Sequence, residues 1–177
     1  MSRFKNKFLS VMLSAAMVAG MLSPMGVQAK AISSGDEYLT TADGQEVKVT
    51  VQYGGTSETV GVLEGDMATV VDGNVETGVN FRGNASGYAD DGIQVGDYIQ
   101  VEYKEAITLE NAVFTFKSGS TDIFQKSTFS YSLDGTEWVD AATIESGTVM
   151  IYKAAEAIEG VKAIRLTNDE YIRKWLN

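Results

Sequence analysis

Between positions 47 and 53 every second residue is apolar: Val47, Val49, Val51 and Tyr53 alternate with Lys48, Thr50 and Gln52. A period of two places one set of side chains on each face of an extended backbone, the pattern of a half-buried strand. The same period returns at Ile99, Val101 and Tyr103, at Phe114 and Phe116, and at Phe129, Tyr131 and Leu133. It returns again at Val149 and Ile151 and at Ile164 and Leu166. Helical periodicity is confined to residues 64–70 and 154–158, one or two turns each. Short alternating strands parted by glycine-rich connections predict an all-β protein, an antiparallel β-sandwich. Leu133-Asp134-Gly135-Thr136 reads as a tight turn, because Asp-Gly supplies the backbone freedom that a reversal needs.

Ahead of these strands lies a different kind of segment. Arg3, Lys5 and Lys7 precede an apolar run over residues 8–22, and Val27-Gln28-Ala29 offers a small-residue cleavage site. Residues 1–29 are therefore expected to be a signal peptide, since the run is shorter than the roughly 20 residues of a membrane-spanning helix. The mature chain is expected to be secreted and to carry no transmembrane segment. Residues 30–60 are expected to form a leading segment, a strand pair, and residues 61–177 the main module.

Composition narrows the chemistry. Among its 177 residues the chain has no histidine and no cysteine. Serine or cysteine triads with histidine, Cys/His zinc sites and disulfides are thereby excluded. A secreted chain without disulfides suits a bacterial source. The leader takes three of the 14 basic residues and none of the 24 acidic ones, leaving a mature net charge of −13. Such a chain lacks an electrostatic grip on nucleic acid or anionic lipid. The adjacent acids Asp90-Asp91 and Asp169-Glu170 sit in no pattern that fixes the separation a glycosidase needs, so no catalytic residue is assigned.

Five signatures occur in order: Val71-Asp72-Gly73-Asn74-Val75-Glu76-Thr77; Gly96-Asp97-Tyr98-Ile99-Gln100-Val101; Tyr131-Ser132-Leu133-Asp134-Gly135-Thr136-Glu137-Trp138; Ala163-Ile164-Arg165-Leu166; and Lys174-Trp175-Leu176. The series over residues 61–177 resembles the coagulation factor 5/8 type C (discoidin-like) domain, in its bacterial branch of family 32 carbohydrate-binding modules. The resemblance implies a galactose-binding-like β-sandwich of the jelly-roll type. It also implies a last strand with an acidic residue after the Lys-Trp-Leu stretch, which this sequence does not show, so that strand is expected to be missing. Trp138 and Trp175 read as core residues. Arg165 pairs with an acid near the loops or is solvated.

Two sets of candidate residues follow. Asp72, Asn74 and Thr77 place oxygen donors along one short loop, the donor chemistry of calcium, with a plain Asx turn as the alternative. In the resembling family this loop helps to hold a structural calcium ion together with the acid of the last strand. With that acid missing, affinity is expected to be weakened or lost. The second set lies in the long connections. A sugar presents an apolar ring face to an aromatic side chain and hydroxyls to planar polar groups. Arg82, Asn84 and Tyr88 in the first loop, Asp122 and Phe124 in the second, and Asn168, Tyr171 and Arg173 in the last supply such groups. Each alone reads as structural or solvated, but together they make a shallow site at one end of the sandwich.

The expected function is non-catalytic glycan binding, with galactose or N-acetylhexosamine types implied by the resemblance. One alternative is the leading fragment of a secreted glycosidase of the galactosidase or N-acetylhexosaminidase class. Another is a protein- or lipid-binding discoidin module.

Overall fold

The computed structural model describes residues 30–34, 37–53, 61–64, 66–82, 93–116, 123–145 and 147–172. The signal segment expected at 1–29, with Trp175, lies outside them. Among the described residues the strands follow in order: β1 (Lys30–Ser33), β2 (Leu39–Thr40), β3 (Glu46–Tyr53), β4 (Gly61–Glu64), β5 (Asn80–Arg82), β6 (Tyr98–Thr115), β7 (Lys126–Ser132), β8 (Val139–Glu145) and β9 (Val149–Asn168). A 3-10 turn at Met67–Val70 falls inside one of the two expected helical stretches. The other, residues 154–158, is strand. There Ile158 pairs with Leu109 and Lys153 with Asn111, so pairing to β6 overrides the local helical period of an alanine-rich run.

The main sheet runs β1-β3-β6-β9-β7-β8 with β2 beside β3, and β4 pairs β5 separately. All pairings are antiparallel. Across its inner face the register lines up Val51, Ile99, Leu166 and Phe129 in one row and Val49, Val101, Ile164 and Tyr131 in the next. These are the alternating residues of the sequence, and burying each large one contributes roughly 1.5–3 kcal/mol.

The second layer comes from the same two long strands. β6 and β9 pair first over residues 98–102, then again between Ile107 and Thr115, with register shifts between Glu102 and Asn111. At the bend β9 holds Gly160 at φ 77, a conformation that a residue with a Cβ adopts only with strain. Beyond it the ribbon lies over the sheet: Tyr152 and Phe114 of the far arm meet Phe129 of β7, with ring centroids 4.1 and 6.2 Å away. This is the predicted sandwich.

The leading segment does not stand apart from the main module. Val47, Val49 and Val51 of β3 are at most 1% exposed, and β3 hydrogen-bonds β6 over six residue pairs, so residues 46–53 belong to the same core. Its β2–β3 turn also reaches the next loop, where the Ala42 N–H donates to the Val71 carbonyl at 3.1 Å. A Cβ on Gly73, itself at φ 74, would stand 2.7 Å from the Ala42 Cβ.

The outer face of the sheet carries a polar row of Thr50, Gln100, Arg165, Ser130 and Asp140. The Arg165 guanidinium lies between two rings, 3.8 Å from the centroid of Trp138 and 4.4 Å from that of Tyr98. Its Nε donates to Gln100 Oε1 at 2.9 Å. Trp138 is thus not a core residue: it is half-buried and covers Arg165 on the outside of the sheet. Arg165 makes a cation–π stack and an amide contact, the geometry that a planar guanidinium favours.

Candidate functional site

One end of the sandwich gathers the flanks of three connections. β9 ends at Asn168, whose N–H donates to the Asp97 carbonyl at 2.7 Å and whose carbonyl accepts from Gly96 at 2.8 Å. One residue on, the Asp169 N–H donates to Lys126 O at 2.8 Å. Ile172 then bridges Ile93, its N–H 2.9 Å from the Ile93 carbonyl. The exit of the first long connection, the exit of the second and the start of the last segment are therefore hydrogen-bonded together. Thr128 Oγ1 adds a bond to Asp169 Oδ2 at 3.0 Å. Gln94 N–H donates to Asp97 Oδ2 at 2.7 Å and closes the turn that launches β6.

The expected ligand residues divide. Tyr171 sits at this end and is 49% exposed. Asn168 is at the same end but fully buried, its amide nitrogen donating to Gln94 O at 2.8 Å and to the Glu170 carbonyl. Its role as a sugar contact is corrected to that of a brace: it ties the last segment to the first connection. Phe124 is corrected too. It is fully buried, its ring 5.9 Å from that of Phe116, because Ile123 and Phe124 turn inward to plug this end of the core. It offers no face to a ligand. Arg82 is the last residue of β5, paired with Gly61. Asn84, Tyr88, Asp122 and Arg173 lie outside the described residues.

Among the described residues, two buried oxygens at this end have no hydrogen-bond partner, Ser127 Oγ and Asn168 Oδ1, on residues paired across β7 and β9. Sequence reasoning missed Ser127 and Gln94. Neither has a distinctive pattern, since their roles come from the crossing of distant segments.

Asp72, Asn74 and Thr77 are brought together in one exposed loop. Asp72 Oδ1 accepts from the Asn74 N–H at 2.8 Å, and Asp72 Oδ2 from Thr77 Oγ1 at 2.7 Å. Asn74 Oδ1 accepts from Glu76 N–H at 3.1 Å. These are nested Asx turns. The donor set is all oxygen, which suits a hard cation, but it contains one carboxylate whose two oxygens already serve the loop. Among the described residues no three acidic, histidine or cysteine groups cluster as a metal site.

No protein-family model matches the sequence, and no curated protein sequence matches it. Solved structures do. The chain is similar to the first family 32 carbohydrate-binding module of a family 31 glycoside hydrolase from Clostridium perfringens. Identity is 17%, over 73% of this chain and 87% of that one, with a TM-score of 0.52. The fold is that of the family 32 carbohydrate-binding modules. A second similar structure is the pair of such modules from Clostridium perfringens ZmpB in complex with GalNAc, at 13% identity and TM-score 0.50; the match covers 87% of this chain and 40% of that two-module chain. The discoidin-like sandwich expected from the five signatures is therefore the fold observed. No helix among the described residues is long and apolar enough to cross a membrane.

Proposed function

We propose that this chain is a secreted, non-catalytic carbohydrate-binding module whose sugar site lies at the end braced by Asn168. The observation that carries the reading is the hydrogen-bonded convergence of residues 93–97, 126 and 168–172, which brings the flanks of the long connections to the end where half-exposed Tyr171 sits. A rigid scaffold presenting long loops at one end is the arrangement by which sandwiches bind ligands. Galactose and N-acetylhexosamines are the sugars to test first, since one module of this fold was solved with GalNAc. Attachment to a glycoside hydrolase, as for the family 31 relative in fold, fits the same role. The reading includes weak calcium binding at the loop of Asp72, Asn74 and Thr77.

A shallow site leaves much of the sugar hydrated, so affinity is expected on the order of 0.1–1 mM for a monosaccharide. A glycan array followed by calorimetry on the mature chain tests this. Binding of galactose- or GalNAc-terminated glycans, weakened by Tyr171→Ala without loss of folding, supports the site. An array without a hit, or a Tyr171→Ala variant that binds as well as the parent, removes it.

A further inference from the structure

Away from the braced end, the bend of β6 opens a cleft of about 450 Å³ against the β2–β3 turn. Thr41, Asp43 and Gln45 line it from the turn, Tyr103, Glu110 and Asn111 from β6. The register shifts between Glu102 and Asn111 that fold the ribbon over the sheet also splay β6 here, so the cleft follows from the fold. Its turn wall is fixed. The Thr41 N–H donates to Gln45 O at 2.9 Å, the Gln45 N–H to Thr41 Oγ1 at 2.8 Å, and Thr41 Oγ1 to Asp43 Oδ1.

We propose that this cleft is a second sugar site, and that it takes a hexosamine carrying a free, protonated amine. The hollow is open to solvent and rimmed by exposed Asp43, Glu110 and Asn111, and its volume far exceeds what a lone metal ion fills. Two planar amides, Gln45 and Asn111, and two carboxylates, Asp43 and Glu110, suit a ligand dense in hydroxyls and N–H donors. Among the described residues no lysine or arginine lines the cleft; the neighbouring Lys104 is held at 2.6 Å by Glu46. Two carboxylates without a counter-charge favour a cationic sugar and disfavour uronic, sialic or sulfated ones. Half-buried Tyr103 supplies an apolar face, and its hydroxyl stays protonated because burial, then the charge of Asp43, pushes its pKa up to about 12.

The ligand class rests on the sugar-binding reading above, while the location does not. The test uses the ¹⁵N-labelled mature chain titrated at about pH 6 with glucosamine, N-acetylglucosamine and galactose, following amide shifts at 41–45 and 106–111. Saturable shifts there with glucosamine, about fivefold weaker with N-acetylglucosamine and lost in a D43N/E110Q double variant, support the proposal. The substitutions keep side-chain shape at exposed positions, so the variant stays folded. Cleft amides unmoved by glucosamine, moved equally by the acetylated sugar, or still moved in the double variant overturn it. Galactose shifts at Gln94 and Tyr171 report the braced end separately, so each reading fails or stands on its own signals.

Discussion

Phe129 of β7 stacks on Tyr152 of β9, with ring centroids 4.1 Å apart and planes 17° from parallel. The two rings come from opposite layers, so this contact joins the sheet to the ribbon folded over it. Phe129 is fully buried and Tyr152 is 8% exposed. Phe129→Ala is expected to cost about 3–5 kcal/mol, lost burial plus a cavity. A double-mutant cycle with Tyr152→Ala should give a coupling of about 0.5–1.5 kcal/mol in chemical denaturation. Additive losses would mean that the stack joins nothing beyond its buried area.

Asn168 is expected to matter for stability and binding together. Asn168→Ala removes the side-chain amide that donates to the carbonyls of Gln94 and Glu170, the Gln94 carbonyl keeping its bond from the Asp97 N–H at 3.2 Å, at a cost of about 1–3 kcal/mol. Because the same amide holds the last segment against the first connection, sugar affinity should fall even at temperatures where the variant is fully folded. Calorimetry showing parental affinity in a folded Asn168→Ala would separate the brace from the site.

Much of this was legible in the sequence where a period of two met a buried face. Val47, Val49 and Val51 read as strand and are core, and Asp134-Gly135 reads as a turn and holds Gly135 at φ 85. Residues 154–158 misread because an Ala-Ala-Glu-Ala-Ile run suits a helix locally, and only the partner strand decides otherwise. Phe124 misread for a related reason: an aromatic in a polar connection looks exposed until Phe116, eight residues back across the ribbon, is seen to receive it. The Asp43–Glu110 cleft was invisible, since its walls are far apart in the chain and meet only through the bend of β6.

The Asp134 turn gives the protein a titratable element. Its carboxylate accepts from the Thr136 and Glu137 N–H groups at 2.7 and 2.8 Å and from Ser132 Oγ at 3.1 Å. Those bonds, the Glu137 and Thr136 backbone donors first, hold its pKa below the ordinary carboxylate value, at about 2. A carboxyl group whose pKa is lowered by folding stabilises the folded state above its unfolded pKa, and that stabilisation is lost as pH falls through the folded one. Melting temperatures of the parent and Asp134→Ala should therefore differ by a constant amount above about pH 4 and converge toward pH 2. A gap that persists unchanged at about pH 2 would show that the carboxylate charge is not what the turn uses.

The loop of Asp72, Asn74 and Thr77 allows calcium binding to be separated from turn stability. Asp72 Oδ1 caps the turn by accepting from Asn74 N–H, a role that an amide oxygen also fills, whereas a cation needs the charge. Asp72→Asn should therefore keep the turn and lose the ion, while Asp72→Ala loses both. With a dissociation constant of about 1 mM, 10 mM calcium stabilises the parent by RT ln(1 + [L]/Kd), about 1.4 kcal/mol. Thermal unfolding in 10 mM calcium against chelator should show that rise in the parent and none in Asp72→Asn. In chelator alone, Asp72→Asn should melt close to the parent and Asp72→Ala below both. An equal rise in parent and Asp72→Asn would place any calcium elsewhere in the chain, and no rise in either would leave the loop as hydrogen-bonded turns alone.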